Sequence, residues 1–289
     1  MARDRSVGAP IALAPVGFDP GAGRWRARDS GAPVDSGDPG QGPTALTVVT
    51  HNVFFIELGR EHRWQAVLDQ AAGADADVIA FQEVTAPFLR MLLDAPWVRE
   101  RYLVSDADGS TFPAYGVVML SRLPVARYTL HDLPSSMARR LLVAELGGGL
   151  AVATVHLESL PPSLPTREVQ FGLILDILSE FDHAVLMGDM NFCATWSENS
   201  RVPPAYTDVW PALHPGDPGW TVDSHENRMV QDLVRKPKQV RYDRVFMRSA
   251  DAYWRPRAIT RLGTEPVPGH PDLYPSDHFG LCARFERAP

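Results

Sequence analysis

Cysteine is almost absent from this 289-residue chain: Cys193 and Cys282 are the only two. A disulfide-stapled scaffold is thereby excluded, and a reducing, cytoplasmic compartment is the expectation. Long apolar runs are also missing. None approaches the ~18–20 residues of a membrane span, so no membrane partner is expected. The short apolar stretch 11–16, broken by Pro15 and preceded by Pro10, has no small-residue cleavage site after it, so no signal peptide is read. Nor is there an excess of positive charge. A net charge of -7 excludes a protein that coats nucleic acid without discrimination.

Hydrophobic residues make up 45% and charged residues 22%, ordinary values for a globular chain, and the length suits one large α/β core. The charge is unevenly spread. Between Arg228 and Arg261 eight arginines and two lysines face only Asp232, Asp243 and Asp251, so the rest of the chain is the more acidic. Such a stretch is either a solvated face or a patch that steers a phosphate-bearing strand. Residues 1–45 hold many of the glycines and prolines and are expected to be mostly irregular, with Phe18 and Trp25 available as anchors. Residues 46–289 are expected to form the domain.

Runs rich in β-branched and aromatic residues predict strands over 46–52, 77–81, 115–120, 141–146, 150–156, 184–187, 240–247 and 278–285. Helical spacing predicts helices over 61–72, with Trp64, Val67 and Leu68 on one face, over 85–93, and over 166–181, with Val169, Leu173, Ile177 and Phe181 as the stripe. Strands outnumber helices and many links are short. The expected class is α+β, with mixed or antiparallel sheets covered by helices. No internal repeat is present.

The informative pattern is where the polar residues fall. Asn52 ends one strand and Gln82-Glu83 the next, His156 ends a middle one, and Gly188-Asp189-Met190-Asn191 closes another. Asp243 lies within 240–247, and Ser276-Asp277-His278 opens the last strand. Singly, each has a plain reading: Asn52, Asp189 and Asn191 as turn residues, Glu83 as a complement to a helix N-terminus, His156 as a core histidine, Asp277 as a surface partner. Six strand ends that all deliver acids, amides or imidazoles are harder to explain that way. Strand ends of packed sheets can converge on one edge, and carboxylates with amide oxygens are hard ligands suited to Mg²⁺. Cys193, near Asp189 and Asn191, reads as a small filler rather than a zinc ligand.

The series His51-Asn52, Phe81-Gln82-Glu83, His156-Leu157, Gly188-Asp189-Met190-Asn191, Tyr242-Asp243 and Ser276-Asp277-His278 resembles the endonuclease/exonuclease/phosphatase superfamily over about residues 46 to 286. Within it, His156-Leu157-Glu158-Ser159, Trp220-Thr221, Tyr242-Asp243-Arg244 and Tyr274-Pro275-Ser276-Asp277-His278 are most similar to the 5′-tyrosyl-DNA phosphodiesterases. Two departures stand out: His51 where those enzymes have Trp, and Phe192-Cys193 where they carry Leu-Arg.

The resemblance implies a four-layer α/β/β/α sandwich and hydrolysis of a phosphoester at a nucleic-acid end, the reaction of a DNA repair enzyme. Glu83 and Asn52 would hold Mg²⁺ (or Mn²⁺), and Asp189, oriented with Asn191, would position and deprotonate water. His278, kept charged by Asp243, would stabilise the pentacovalent phosphate. His156 and Ser159 would donate to its oxygens, while Ser276 and Asp277 face the substrate or support the metal. Trp220 would stack on a terminal base, unless it is a core aromatic. Rival readings are an abasic-site endonuclease or other nuclease, a phosphoinositide phosphatase or a sphingomyelinase-like esterase. A rival of another class is an inactive nucleic-acid-binding module, which predicts losses among residues that are all present. No obligate protein partner is evident.

Overall fold

The computed structural model describes residues 8–28 and 43–288. Alternation along the strands builds its layers, because successive side chains leave a strand on opposite faces. In Ala45–Asn52, Leu46 and Val48 enter one buried cluster and Val49 another. The same division runs through Val78–Thr85, where Val78 and Ala80 face one way and Ile79 and Phe81 the other.

Two sheets result. The eight-stranded sheet runs Trp254–Leu262, Gly280–Arg287, Ala45–Asn52, Val78–Thr85, Tyr115–Ser121, Leu103–Val104, Val16–Asp19 and Arg24–Ala27. The seven-stranded sheet runs Ile11–Leu13, Arg127–Asp132, Arg140–Glu145, Leu150–His156, His183–Asp189, Asp243–Ser249 and Tyr206–Asp208. Their inner faces meet in a core that sets Val48, Val78 and Phe285 of one sheet with Val152, Val185 and Met187 of the other. Each such fully buried side chain stabilises the fold by about 1.5–3 kcal/mol relative to exposure. Helices Arg60–Gly73 and Ala86–Asp94 cover the outer face of the larger sheet, through Trp64, Val67, Leu68 and Phe88. Helix Leu164–Leu178 covers the other through Phe171, Ile174 and Leu178. This is the layered α/β/β/α sandwich.

Each sheet contains one parallel pair, and each pair is joined by a crossover helix. Ala45–Asn52 runs parallel to Val78–Thr85 with Asn52 opposite Gln82, and Leu150–His156 runs parallel to His183–Asp189 with His156 opposite Asp189. The carboxyl ends of all four strands therefore deliver polar residues to one edge of the sandwich.

Three sequence expectations are corrected. The single strand over 240–247 is broken: Gln239–Val240 pairs with Val222–Asp223 in a separate ribbon, and Asp243–Ser249 begins anew in the large sheet. The stripe on the third helix is misplaced. Val169 is 53% exposed, and Arg167, Gln170, Phe171, Ile174 and Leu178 are buried instead. Two buried polar side chains hid that face: Arg167 ion-pairs with Glu198, and Gln170 links the Glu158 amide to the Pro134 carbonyl. Residues 8–28, expected to be mostly irregular, form three short strands. Ile11–Leu13 edges one sheet, and the hairpin of Val16–Asp19 with Arg24–Ala27 edges the other. There Phe18 and Trp25 meet edge to face at 5.5 Å, with Arg99 over the Phe18 ring. The remainder of 1–45, residues 1–7 and 29–42, lies outside the described residues.

Candidate active site

Asp189 is the hub. It ends its strand fully buried, and Asn52 Nδ2 crosses from the other sheet to donate to its Oδ2 at 3.1 Å. Its Oδ1 accepts the Asn191 amide at 2.9 Å, and His156 Nε2 lies 3.3 Å from Oδ2. Burial alone would raise the Asp189 carboxyl; His156, His278 and the two amide donors reverse that and hold it below the ordinary range. It is ionised at neutral pH and able to accept a hydrogen bond from water.

His156 is aimed by a residue that the sequence did not single out. Arg139 Nη1 lies 2.9 Å from His156 Nδ1. A guanidinium only donates, so Nδ1 accepts, which puts the proton on Nε2 facing Asp189. Burial lowers the His156 pKa to about 3, in keeping with a neutral ring.

His278 has the opposite state. Its Nδ1 lies 2.7 Å from Asp243 Oδ2 and 3.9 Å from Asp189 Oδ2. Burial disfavours its charge, but Asp243, Asp277 and Asp189 together raise its pKa well above the usual value. The site thus pairs an imidazolium with ionised acids. Asp243 itself is placed by Thr221, whose Oγ1 accepts the Tyr242 amide at 3.0 Å and the Asp243 amide at 3.1 Å. Asp208 clamps the same segment, taking both Nη atoms of Arg241 at 2.9 Å and a further bond from Arg244. Ser276 spends its hydroxyl internally: Oγ donates to the Asn52 carbonyl at 2.6 Å and accepts the His278 amide at 3.2 Å. It ties the segment before Gly280–Arg287 to the end of Ala45–Asn52 rather than facing outward.

Glu83 sits on a bulge where the pairing with Tyr115–Ser121 slips between Phe81 and Val84. Its φ of 61° is unusual for a residue with a side chain and costs about 1–2 kcal/mol. A bulge re-aims a side chain, here turning the carboxylate toward Asn52 Nδ2 at 3.3 Å and the Phe55 amide at 3.1 Å. Burial and the neighbouring Asp277 charge raise the Glu83 pKa to about 7. Burial likewise raises Asp277. Neither carboxylate has an ion-pair partner among the described residues. Arg63, electrically close to both, spends its guanidinium on the carbonyls of Val53, Phe54, Ile56, Leu58 and Pro275. Two crowded carboxylates suit a hard divalent cation, while Asn52 turns its Nδ2 toward Glu83 and its Oδ1 accepts the Phe54 amide at 3.0 Å. Asp189, Asp243 and His278 also offer ligand atoms within 4.8 Å of one another. In that second group, however, the short His278–Asp243 contact already holds a proton, which a cation would displace.

Thus Asn52, Glu83, His156, Asp189, Asn191, Asp243, Ser276, Asp277 and His278 meet at one edge. Ser159 is less engaged: its hydroxyl contacts Met137 Sδ at 3.1 Å. Trp220 is partly exposed and outside the packed clusters, with its carbonyl bonded to Arg261. Within the basic stretch 228–261, Arg241 and Arg244 are buried against Asp208, Arg261 pairs with Glu226 and Arg248 donates to backbone carbonyls, while Arg228, Arg235, Lys236, Arg255 and Arg257 are exposed. Arg139 and Arg63 had no local signal, because only the folded chain brings them to their partners. Thr221 was visible as part of a motif but not as the anchor of Asp243.

Comparison with known proteins bears on the fold and the family. Tyrosyl-DNA phosphodiesterase 2 of Gallus gallus is 26% identical over 262 residues, covering 84% of this chain and 67% of the relative. The solved D. rerio TDP2 complexed with single strand DNA product superposes with a TM-score of 0.71 at 23% identity, over 84% of this chain and all of that one. C. elegans TDP2 gives 0.73 at 22% identity, over 84% and 75%. Because the Endonuclease/Exonuclease/phosphatase family model matches residues 49–278, from the strand Ala45–Asn52 to His278, the chain belongs to that family of phosphodiester-bond hydrolases.

Proposed function

We propose that the chain hydrolyses a 5′-tyrosyl-DNA phosphodiester, freeing the strand end as a 5′-phosphate with Mg²⁺ (or Mn²⁺) as the metal. The observation that carries this is the convergence of an ionised acid, Asp189, with a charged imidazole, His278, on strand ends from both sheets. The similarity to a tyrosyl-DNA phosphodiesterase and to a DNA-product complex supports the substrate class.

Each residue has a task that its surroundings allow. Asp189, steadied by Asn52 and by the Asn191 amide, accepts a hydrogen bond from the attacking water and takes its proton. Asn191 Nδ2 is held by the Leu157 carbonyl at 3.0 Å, so its side-chain oxygen is the part available to orient that water. His278 donates a hydrogen bond from Nδ1–H to Asp243, leaving Nε2–H as donor to an oxygen of the reacting phosphate. His156, neutral, adds its Nε2–H to the same region. Glu83 and Asp277 would hold the divalent ion, with Asn52 steadying Glu83 beside it, and the ion's chemistry is to polarise a phosphoryl oxygen and offset its charge.

The leaving group fits the residues present. A phenol has a pKa of roughly 10, so phenolate departs without a dedicated general acid, and none stands out at the site. The test is a substrate panel in Mg²⁺: a 5′-phosphotyrosyl oligonucleotide, an abasic-site duplex, a phosphoinositide and sphingomyelin. The first should have the highest kcat/KM by at least about 100-fold, equivalent to ~2.7 kcal/mol of transition-state discrimination. Equal or better turnover of any of the others would assign the site to a different substrate.

A further inference from the structure

Of the basic residues between 228 and 261, Arg241 and Arg244 are buried in ion pairs and Arg228, Arg235, Lys236, Arg255 and Arg257 are exposed, but Lys238 is neither. It is partly buried and has no ion-pair partner among the described residues. It directly precedes Gln239–Val240, in the ribbon beside the catalytic edge. Its backbone is pinned to Ser224 twice, its amide donating to Ser224 Oγ at 2.8 Å and its carbonyl accepting the Ser224 amide at 2.9 Å. The ammonium lies 4.6 Å from the centroid of the Tyr242 ring. That ring in turn lies 6.2 Å from the His278 ring, at 36° to it. The charge is therefore separated from the catalytic imidazolium by one aromatic ring and touches no carboxylate of the described residues. Burial disfavours it, and the two carboxylates that act on it across the site are Asp277 and Asp189.

Holding a cation over an aromatic face, unpaired and partly desolvated, makes chemical sense if an anion completes the arrangement. The reaction supplies one. Hydrolysis converts a diester of single charge into a terminal monoester carrying about −1.5 to −2, with three strong acceptor oxygens. A lysine ammonium is a compact point charge with three donors, suited to such a group.

We propose that Lys238 binds the 5′-terminal phosphate at the catalytic centre, acting beside His278 as the site's second side-chain cation. This rests on the proposed DNA-end substrate. It makes Lys238 a reader of the phosphorylated end rather than a general contact to the strand. His278 and Lys238, both beside Tyr242, then approach the same phosphate.

The experiment measures equilibrium binding of single-stranded oligonucleotides, by fluorescence anisotropy in Mg²⁺, to wild type, Lys238→Met and Lys238→Arg. The strands are identical except for a 5′-phosphate or a 5′-hydroxyl. Wild type should favour the 5′-phosphate by about tenfold or more, the scale of one charge-assisted contact. Lys238→Met should lose most of that preference while keeping its affinity for the 5′-hydroxyl strand, and Lys238→Arg should retain much of it. Equal weakening toward both strands, an undiminished preference in Lys238→Met, or no preference in wild type would each overturn the proposal. Thermal melting of the variants alongside wild type separates binding loss from unfolding. Because the readout is binding, failure of the protein to cleave a tyrosyl substrate would count against the proposed reaction and not be mistaken for this result.

Discussion

Two histidines that approach the same Asp189 Oδ2, at 3.3 and 3.9 Å, hold opposite charge states, and the difference lies in what faces each Nδ1. Arg139 faces that of His156 and keeps the ring neutral, while Asp243 faces that of His278 and favours the imidazolium. Asp243→Asn removes the nearest charge that overcomes burial at His278, so its pKa should fall. The alkaline limb of the kcat profile should then move to lower pH, and kcat at pH 8 should drop about 10²–10³-fold. An unshifted limb would separate His278 from the rate. Glu83 yields a prediction with the opposite slope. Its folded pKa of about 7 exceeds the ordinary 4.5, so between these values the folded state holds a proton that the unfolded chain has lost. Metal-free protein should therefore lose stability as pH rises from about 4.5 to 7, by about 2 kcal/mol once partial exposure is allowed for. Urea unfolding in EDTA would measure this, and Glu83→Gln should flatten the slope; a flat wild-type profile would contradict it.

At the scale of elements, the parallel pair Leu150–His156 with His183–Asp189 carries much of the site, and Gly188 makes its close approach possible. Its φ is 134°, and a Cβ there would lie 2.0 Å from the Val155 carbonyl oxygen, a backbone atom with little freedom to move. Gly188→Ala should cost about 3 kcal/mol or more and misplace Asp189, seen as a lowered Tm together with lost activity. A variant that melted and turned over like wild type would remove that constraint. The strands that end in Asn52, His156 and Asp189 were legible in the sequence because β-branched runs stop abruptly at polar residues. The break at Arg241-Tyr242 was not legible, since Val240 and Val245 continue one apolar rhythm and only the pairing partners differ. The face of the third helix was missed because Arg167 and Gln170, buried through Glu198 and Glu158, do not look like core residues. The glycine and proline of the first 45 residues masked short strands whose partners, Arg127–Asp132 and Leu103–Val104, lie far along the chain.

On the scale of the whole molecule, the two sheets are what make the site. Gln82 Nε2 bridges them, donating to Thr50 Oγ1 at 3.0 Å in one and Thr154 Oγ1 at 2.9 Å in the other, and Asn52 repeats the bridge at the catalytic edge. The residue types of the site could be read from the sequence; the ties that aim them, through Arg139, Arg63 and Thr221, required the fold. Net charge of -7 with most arginines paired also predicts selective capture of strand ends over internal duplex. Competition binding should show end-free circular DNA as a poor competitor, and equal competition would point to general backbone binding. The most direct measurement is single-turnover cleavage of a 5′-phosphotyrosyl oligonucleotide in Mg²⁺ by wild type and Asp189→Asn at matched folded concentration. Wild type should release the 5′-phosphorylated strand, and the variant should be at least about 10³-fold slower. Cleavage by Asp189→Asn at the wild-type rate would contradict the assignment of Asp189 as the group that activates water.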